Sequence, residues 1–261
     1  MAHDAPRRVA VFVTGASSGI GAALARRYAG EGAQLGLFAR RADALAVIAA
    51  TLAPALPAVY VGDVRDAGAL RAAAADFTAR HGAADIVIAN AGISHGTLTE
   101  YVEDNAVFRA ILETNVLGML HTFQAFLPAM RGARKGKLVG IASVAGFRGL
   151  PGAGAYSAAK SAAINYLESL RVELVGSGIK VITICPGYVA TPMTAGNPYR
   201  MPFLISAERA ATLIVRAIAA GRRFYILPWQ MRWMGRLFSV LPRPIFDRML
   251  AEALRKPRAD G

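Results

Sequence analysis

The sequence predicts a three-layer α/β protein in a single domain, with a doubly wound, seven-stranded parallel sheet between two layers of helices. Short apolar runs alternate with stretches of helical periodicity, and no repeat or low-complexity linker interrupts them. The 261 residues are enough for one large α/β domain or two small ones. Strands that alternate with helices pair in parallel through right-handed crossovers, so both faces of the sheet are buried.

The elements follow one another in a regular order. Apolar runs predict strands at residues 9–13, 34–38, 58–62, 85–90, 137–143, 180–185 and 223–227. Helical periodicity predicts helices at residues 20–29, 42–52, 66–80, 103–130, 155–175 and 207–220. Residues 186–206 are rich in proline and show no clear period, so they are predicted to form a mobile loop. Ligands of doubly wound sheets bind at the carboxyl ends of the strands, where functional residues are therefore expected.

Composition excludes several classes of protein. A chain with 54% hydrophobic and 18% charged residues is not disordered. A single cysteine, Cys185, excludes an internal disulfide framework and a cysteine-rich zinc site, and it is predicted to be a buried strand-end residue without chemistry. The four histidines show no ligand spacing, so no metal site is expected; they are His3, His81, His95 and His121.

The net charge of +13 is concentrated towards the carboxyl terminus. Residues 200–261 hold 12 basic and 4 acidic side chains. Two interpretations remain open: attraction to an anionic partner, or a genomic preference for Arg over Lys. No recognition motif supports nucleic-acid binding, so none is expected.

The uncharged stretch 114–130 carries Asn115, His121 and Pro128, which is typical of a buried helix rather than a membrane span. A cytoplasmic protein is the default expectation.

Residues 14–21, TGASSGIG, lie between the first strand and the first helix. Glycine permits φ > 0 and lets backbone N–H groups approach a pyrophosphate, and the helix adds its positive amino-terminal end. A tight turn without a ligand is the simpler alternative. The strand–loop–helix context favours a dinucleotide site at Gly15, Gly19 and Gly21.

Tyr156 and Lys160 are four residues apart on a predicted helix and therefore share one face. An adjacent ammonium is expected to lower the pKa of the tyrosine phenol, which is near 10 when unperturbed. Tyr156 is then able to serve as a general acid or base. Ser143 ends the fifth predicted strand thirteen residues earlier, where its hydroxyl could hold a substrate oxygen.

These motifs, in this order from residue 14 to residue 191, resemble the short-chain dehydrogenase/reductase family. The resemblance implies a Rossmann fold, a nicotinamide dinucleotide cofactor and a catalytic group of Asn115, Ser143, Tyr156 and Lys160. It implies that Lys160 also bonds the nicotinamide ribose, and that Asn115 marks a helix kink whose carbonyl holds a water. It further implies a homodimer or homotetramer formed through the helix that carries Tyr156 and its neighbour.

The resemblance also predicts the choice of cofactor. Family members that use NAD carry an acidic residue at the end of the second strand, where this chain has Ala39 followed by Arg40 and Arg41. Guanidinium groups suit a 2′-phosphate, so NADP(H) is expected over NAD(H). The alternative is that both arginines only solvate a helix start. The predicted cofactor-binding residues are Gly15, Ser17, Ser18, Gly19, Ile20, Gly21, Arg40, Arg41, Asp63, Val64, Asn90, Ala91, Gly92, Tyr156, Lys160, Pro186, Gly187, Val189 and Thr191.

A substrate lid is predicted over residues 188–206, within a domain of residues 1–228. Its apolar residues, together with Val144, Phe147 and Leu150 near Ser143, predict a pocket for a hydrophobic ketone, aldehyde or alcohol. Arg148 is the one candidate for contact with an anionic substrate in this segment. The lid residues are Tyr188, Val189, Met193, Tyr199, Met201, Phe203 and Leu204.

Residues 229–261 are predicted to be a basic, amphipathic helical extension of the same domain. Two apolar stripes either pack on the subunit or its partner, or attach the protein peripherally to a membrane beside Arg232 and Arg236. The stripes are Trp229, Trp233, Leu237, Val240 and Leu241, and then Ile245, Phe246, Met249, Leu250, Ala253 and Leu254. The predicted function is NADP(H)-dependent interconversion of a carbonyl and an alcohol; the alternative is a cofactor-binding sensor or scaffold with little turnover.

Overall fold

A seven-stranded sheet forms the centre of the computed structural model, which describes residues 8–53, 55–251 and 255–258. The strand order is β3-β2-β1-β4-β5-β6-β9, and every adjacent pair is parallel. The chain winds outward in one direction from β1 and then in the other from β4, which confirms the predicted doubly wound fold. The strands are β1 (Ala10–Thr14), β2 (Gln34–Ala39), β3 (Ala58–Val61), β4 (Ile86–Ala89), β5 (Gly136–Ile141), β6 (Ile179–Pro186), β7 (Val189–Ala190), β8 (Ile205–Ser206) and β9 (Phe224–Leu227).

Helices cover both faces of the sheet because its strands are apolar on both sides. Val11 and Val13 of β1 join a core with α1, α2 and α7, whereas Phe12 faces α3, α5 and α6. The Phe12 ring lies 4.5 Å from that of Phe126 and 5.5 Å from that of Phe77, between ring centroids. The helices are α1 (Gly19–Gly30), α2 (Ala42–Ala50), α3 (Ala67–His81), α4 (Asp104–Leu112), α5 (Gly118–Gly132), α6 (Gly154–Glu173), α7 (Ala207–Ala219), α8 (Trp229–Val240) and α9 (Arg243–Leu250).

The helical region predicted over residues 103–130 is interrupted by a π-helical segment, Glu113–Leu117. Asn115 lies in this segment, and its side chain bonds the backbone of Ile93 in the loop after β4. A π-segment opens the helix by one residue per turn and commonly occurs at functional sites. The helix is therefore irregular at the residue where the family resemblance implied a kink.

Residues 186–206 contain regular structure that their sequence did not predict. β7 and β8 pair in parallel, with Val189 opposite Ile205. Ser206 then caps α7, since its Oγ accepts a hydrogen bond from the Arg209 N–H at 3.1 Å. Strands of two residues are too short to produce a detectable period, which is why the sequence indicated only a loop.

α8 packs against the subunit through a different face from the first predicted stripe, whereas Phe246 of the second stripe is buried. Met231 is buried against Gly187, and the Phe238 ring lies 6.1 Å from that of Phe246. Trp229, Trp233 and Leu237 are instead 68%, 61% and 58% exposed. The first predicted stripe thus faces solvent, because α8 contacts the domain through a different face that includes Met231. Ala253 and Leu254, from the second predicted stripe, lie outside the described residues.

No helix in the described part of the chain combines the length and the hydropathy needed to span a membrane. After α9, residues 255–258 return to the carboxyl end of the sheet. There the Gly96 N–H donates a hydrogen bond to the Pro257 carbonyl oxygen at 2.8 Å. The end of the chain thus reaches the loop that follows β4.

Candidate active site

A cavity of about 690 Å³ opens at the carboxyl ends of the strands. This is the edge where a doubly wound sheet binds its ligand. Its walls come from the loops after β1, β2, β4, β5 and β6, from α6 and from residues 256–258. The predicted site residues that line it are Gly15, Ser17, Ser18, Gly19, Ile20, Arg40, Arg41, Val64, Asn90, Ala91, Gly92, Ser143, Tyr156, Lys160, Pro186, Gly187, Val189 and Thr191.

The glycine-rich loop forms one end of the cavity. Gly15 and Gly19 have φ of +67° and +54°, and a Cβ on Gly15 would come within 2.8 Å of the Ala91 Cα. Gly21 does not line the cavity; it lies beneath the loop against the Gly15 carbonyl and the Asn90 side chain. α1 begins at Gly19, so its amino-terminal N–H groups lie at the cavity wall. This cradle fits a pyrophosphate.

Two arginines stand at the end of β2. The Arg41 guanidinium donates to the Ser17 and Ser18 hydroxyls at 3.3 and 2.9 Å. Arg40 lies 3.5 Å from the Asp63 carboxylate. Together they place positive charge beside the glycine-rich loop, where no carboxylate occupies the position of Ala39.

Asp63 differs from its predicted place, because it does not line the cavity. Its carboxylate pairs with the Arg65 guanidinium at 2.8 Å. Partial burial raises the pKa of Asp63, but hydrogen bonds from Arg65 and the charges of Arg65 and Arg40 outweigh burial and lower that pKa overall. The carboxylate is therefore engaged by Arg65 of its own loop and by Arg40 after β2, and Val64 provides the cavity wall there.

Hydrogen bonds fix the loop after β4 to β1 on one side and to the π-helical segment on the other. The Asn90 side-chain amide donates to the Thr14 carbonyl oxygen at 3.0 Å, tying β4 to β1. Asn115 is buried and does not line the cavity. Its Oδ1 accepts from the Ile93 N–H at 2.8 Å, and its Nδ2 donates to the Ile93 carbonyl at 3.0 Å. The Asn115 side chain thus positions this loop, which its sequence context alone did not indicate.

Ser143, Tyr156 and Lys160 meet at the other end of the cavity. The Lys160 ammonium donates to the Ile141 carbonyl oxygen at 2.8 Å and lies 5.6 Å from the centroid of the Tyr156 ring. The Ser143 hydroxyl donates to the Pro186 carbonyl oxygen at 3.3 Å. Residues from β5, β6 and α6 therefore converge on one point, with two proton-carrying side chains and a hydroxyl.

Burial shifts the two titratable groups in opposite directions. It raises the pKa of Tyr156 to about 12, although a hydrogen bond with Ser143 opposes the rise. It lowers the pKa of Lys160 to about 8. The predicted fall in the pKa of Tyr156 is thus not seen, because loss of hydration disfavours both charged forms.

The predicted apolar pocket is arranged differently. Val189 and Met193 of the lid line the cavity, but Val144, Phe147 and Leu150 do not. Phe147 stacks on Phe224 instead, with ring centroids 6.2 Å apart. The proposed anion contact, Arg148, donates to the Phe238 carbonyl oxygen at 2.7 Å and covers the Phe246 ring. These side chains are engaged in holding α8 and α9 to the domain.

Several cavity residues were not foreseen from the sequence. Ser94 and His95 follow the Asn90–Gly92 motif, and their place after a strand was a usable signal. Lys256 and its neighbours gave no signal, since they follow the helical tail without a motif.

Two buried oxygens on the cavity wall, Thr114 Oγ1 and Asn197 Oδ1, lack hydrogen-bond partners within the described residues. Such atoms favour a polar ligand.

Cys185 is buried, and burial raises the pKa of its thiol to about 12. The thiolate is therefore scarce at neutral pH, which fits the predicted structural role. Across the described ranges, no group of three or more His, Cys, Asp or Glu side chains is arranged to hold a metal ion.

The strand order and winding define a Rossmann-fold protein, whose cavity extends from a glycine-rich loop to Ser143, Tyr156 and Lys160. Residues 9–200 match the family model described as short chain dehydrogenase. The chain is 39% identical over 238 residues to an uncharacterised oxidoreductase of Myxococcus xanthus, covering 90% of this chain and 94% of the relative. It is 33% identical to 11-beta-hydroxysteroid dehydrogenase-like 2 of Arabidopsis thaliana, covering 92% and 80%.

Among solved structures, a short chain dehydrogenase/reductase from Burkholderia phymatum in complex with NAD superposes with a TM-score of 0.80. The two chains are 27% identical, and the match covers 96% of each. The protein belongs to the short-chain dehydrogenase/reductase family and is an oxidoreductase of that family.

Proposed function

We propose that the protein is an NADP(H)-dependent oxidoreductase that interconverts a carbonyl and an alcohol on a largely apolar substrate. One observation carries this proposal: Ser143, Tyr156 and Lys160 line the same cavity as the glycine-rich loop. A dinucleotide held by that loop and a substrate beside Tyr156 would therefore share one enclosed space.

The residues at the cavity wall suit such a cofactor. Gly15, Gly19 and the start of α1 would hold the pyrophosphate, and Arg40 and Arg41 would hold a 2′-phosphate. Val64 would lie against the adenine, and Asn90 and Lys160 would face the nicotinamide ribose. The cofactor supplies the hydride when it is bound. The NAD complex of the Burkholderia phymatum relative supports a nicotinamide dinucleotide.

Tyr156 would move the proton. Its raised pKa keeps the phenol protonated at neutral pH, so it can donate to the oxygen of a carbonyl being reduced. The Ser143 hydroxyl would orient that oxygen and stabilise the charge that develops on it. Lys160 would hold the ribose and, when charged, favour the phenolate that Tyr156 becomes after proton transfer. Asn115 would support this group indirectly, through the backbone of Ile93.

An apolar substrate is supported by the cavity wall and by a relative. Ile93, Val189 and Met193 provide apolar surface near the catalytic end. The Arabidopsis thaliana relative is named for a hydroxysteroid dehydrogenase, and a hydroxysteroid is an alcohol with a large apolar body. We infer a substrate with a substantial apolar body.

We also infer two contacts outside the active site. The exposed face of α8 carries Trp229 and Trp233 beside Arg232 and Arg236, which suits the surface of an anionic membrane.

A homodimer or homotetramer would form through α5 and α6, where Val172 is exposed. Light scattering on the purified protein tests the assembly, and a monomer at micromolar concentration would exclude it.

The proposed function is tested by replacing the phenol while keeping the ring. NADPH is titrated by fluorescence into wild type and Tyr156→Phe, and both are assayed with a panel of ketones and aldehydes. Turnover by Tyr156→Phe should fall about 100-fold or more, because general acid–base catalysis contributes that much. The dissociation constant for NADPH should change less than about threefold, since the phenol is not needed for the anion cradle.

Tyr166→Phe is the matched control, because Tyr166 lies on the same helix and stacks on Phe123 away from the cavity. It should retain wild-type turnover. Full activity in Tyr156→Phe would contradict the proposed mechanism. Cofactor binding by wild type without turnover on any carbonyl would favour a sensor or scaffold instead.

A further inference from the structure

The carboxyl-terminal segment 255–258, here called the strap, forms part of the cavity wall. Arg258 anchors it: its guanidinium pairs with the Asp104 carboxylate at 3.0 Å and lies 3.8 Å from the centroid of the Tyr101 ring. The Gly96 N–H bonds the Pro257 carbonyl oxygen at 2.8 Å. Both anchors follow Lys256 in the chain, and both attach the strap to the segment between β4 and α4.

Lys256 bridges two walls of the cavity. Its ammonium donates to the Ser94 hydroxyl at 2.9 Å, in the loop after β4. It also donates to the Met193 carbonyl oxygen at 3.4 Å, in the segment after β7. An ammonium carries three N–H donors, so one remains for a ligand in the cavity that Lys256 lines.

Lys256 joins two segments that reach different parts of the cavity: Ser94 follows Gly92, and Met193 follows Thr191, which lies 3.1 Å from a Cβ built on Gly19. A Cβ built on Gly92 would lie 3.7 Å from the Lys160 ammonium nitrogen. Ser94 follows Gly92 by two residues, and two residues of chain span at most about 7 Å. Lys256, Lys160 and Tyr156 line the same cavity, so one extended substrate would reach all three side chains.

Within the described part of the chain, the charge of Lys256 has no counter-ion. Among the described residues, no carboxylate lies within ion-pair distance of its ammonium, and both of its partners are neutral oxygens. Loss of hydration lowers the pKa of Lys256, which is the expected cost of a partly buried cation. An anionic ligand group would offset that cost through a charge-assisted hydrogen bond.

We propose that Lys256 binds a carboxylate of the substrate, so that the substrate class is a carbonyl or alcohol compound with an apolar body and a carboxylate remote from the reacting carbon. The proposal rests on the proposed function and narrows it. The strap then determines specificity, because it brings to the cavity an ammonium whose two hydrogen-bond partners, Ser94 and Met193, are neutral.

Rigid aryl ketones with and without a carboxylate test this proposal. The probes are 3- and 4-acetylbenzoate and their methyl esters, assayed with NADPH on wild type and Lys256→Met. Wild type should favour at least one acid over its ester by about tenfold or more in kcat/KM. Lys256→Met should lose that preference through a higher KM for the acid, with the esters and the dissociation constant for NADPH changing less than about twofold.

Arg255→Met is the matched control. Arg255 is the exposed neighbour of Lys256 in the strap, and its substitution removes the same charge. It should keep the preference for the acid. Equal losses on acid and ester in Lys256→Met would overturn the proposal, because they indicate only a structural role for the strap. Weaker NADPH binding would overturn it as well, since the anion would then be a cofactor phosphate.

Calorimetric binding of the same four compounds in saturating NADP+ separates this proposal from the proposed function. Binding of an acetylbenzoate that is lost in Lys256→Met supports the carboxylate site even without turnover. Turnover of the esters without any dependence of acid binding on Lys256 would remove the carboxylate site alone. Failure of wild type to bind either acid would also overturn it.

Discussion

At the scale of single residues, burial controls the protonation of Tyr156 and Lys160. Tyr156 and Lys160 are one helical turn apart, yet burial raises the pKa of one to about 12 and lowers that of the other to about 8. Both shifts favour the neutral form, because a low-dielectric site disfavours either charge. At neutral pH the phenol therefore holds its proton, which is the form that reduction of a carbonyl requires.

Arg40 and Arg41 give a prediction at the same scale. The double variant Arg40→Ala/Arg41→Ala should weaken NADPH binding about 10- to 100-fold, because charge-assisted hydrogen bonds to a 2′-phosphate are lost. Binding of NADH should change less than about threefold, as NADH has no such phosphate. Fluorescence titration with both cofactors measures the two effects.

Arg27→Ala is the control for the loss of positive charge, since Arg27 forms an exposed pair with Glu31 on α1. Its affinities should match those of wild type. Wild-type protein that binds NADH tenfold more tightly than NADPH would contradict the inferred cofactor preference, as would unchanged NADPH binding in the double variant.

At the scale of secondary-structure elements, α8 divides its residues between two faces. Met231 and Gly235 are buried against Gly187 and Phe147, so one face completes the domain. Trp229 and Trp233 lie on the other face, and Arg232 and Arg236 lie 5.9 and 5.7 Å from the centroid of the Trp233 ring. A helix with one face packed and an aromatic, basic face exposed suits the interface of an anionic bilayer.

The membrane contact is tested by sedimentation with vesicles of phosphatidylcholine, with and without phosphatidylserine. Wild type should bind the anionic vesicles several-fold more than the neutral ones, and added salt should reduce that binding. Trp229→Ser/Trp233→Ser should bind several-fold less because the inserted apolar area is lost. Val175→Ser, which removes an exposed apolar side chain just beyond α6, should bind like wild type. Equal binding to both vesicle types would exclude the inferred contact.

At the scale of the whole molecule, Arg258 is joined to Asp104, which lies 154 residues earlier, where the loop after β4 meets α4. The Arg258 guanidinium bonds both oxygens of Asp104, and Asp104 also accepts from the Leu98 N–H at 2.7 Å. The hydrogen bond from Arg258 is the main cause of a lowered Asp104 pKa, with the Leu98 N–H next. The carboxylate is thus held in its charged form at the base of the strap.

This pair predicts a dependence of stability on pH. Because the pKa of Asp104 is lower in the folded state, its contribution is complete above the unfolded value near 3.9 and is lost as pH falls through the folded value. Asp104→Asn should therefore lower Tm at pH 7, and its gap to wild type should close below about pH 4. Thermal unfolding followed by circular dichroism at several pH values measures this gap.

Glu100→Gln is the matched control, because Glu100 is an exposed carboxylate in the same loop. It removes the same charge and should leave Tm nearly unchanged at pH 7. A Tm difference for Asp104→Asn that stays constant down to pH 2 would contradict the role of the ion pair. Loss of the strap should also lower the kcat/KM of the acetylbenzoates, since Lys256 would no longer be held.

The sequence by itself determined the alternation of strands and helices along the chain, the glycine turn after β1 and the alignment of Tyr156 with Lys160 on α6. Each of these depends on residues that are close in the chain: the apolar run of a strand, the φ > 0 of Gly15, or the four-residue spacing on a helix. Such local preferences act before distant parts of the chain meet.

Only the tertiary structure decided the rest. The contact of Asn115 with Ile93, the outward face of Trp233 and the return of Lys256 to the cavity all join residues far apart in sequence. Burial also reversed the expected shift in the pKa of Tyr156, since hydration at a site depends on every element packed around it. Periodicity shows that a helix has an apolar stripe, but the path of the whole chain decides which face of that helix is covered.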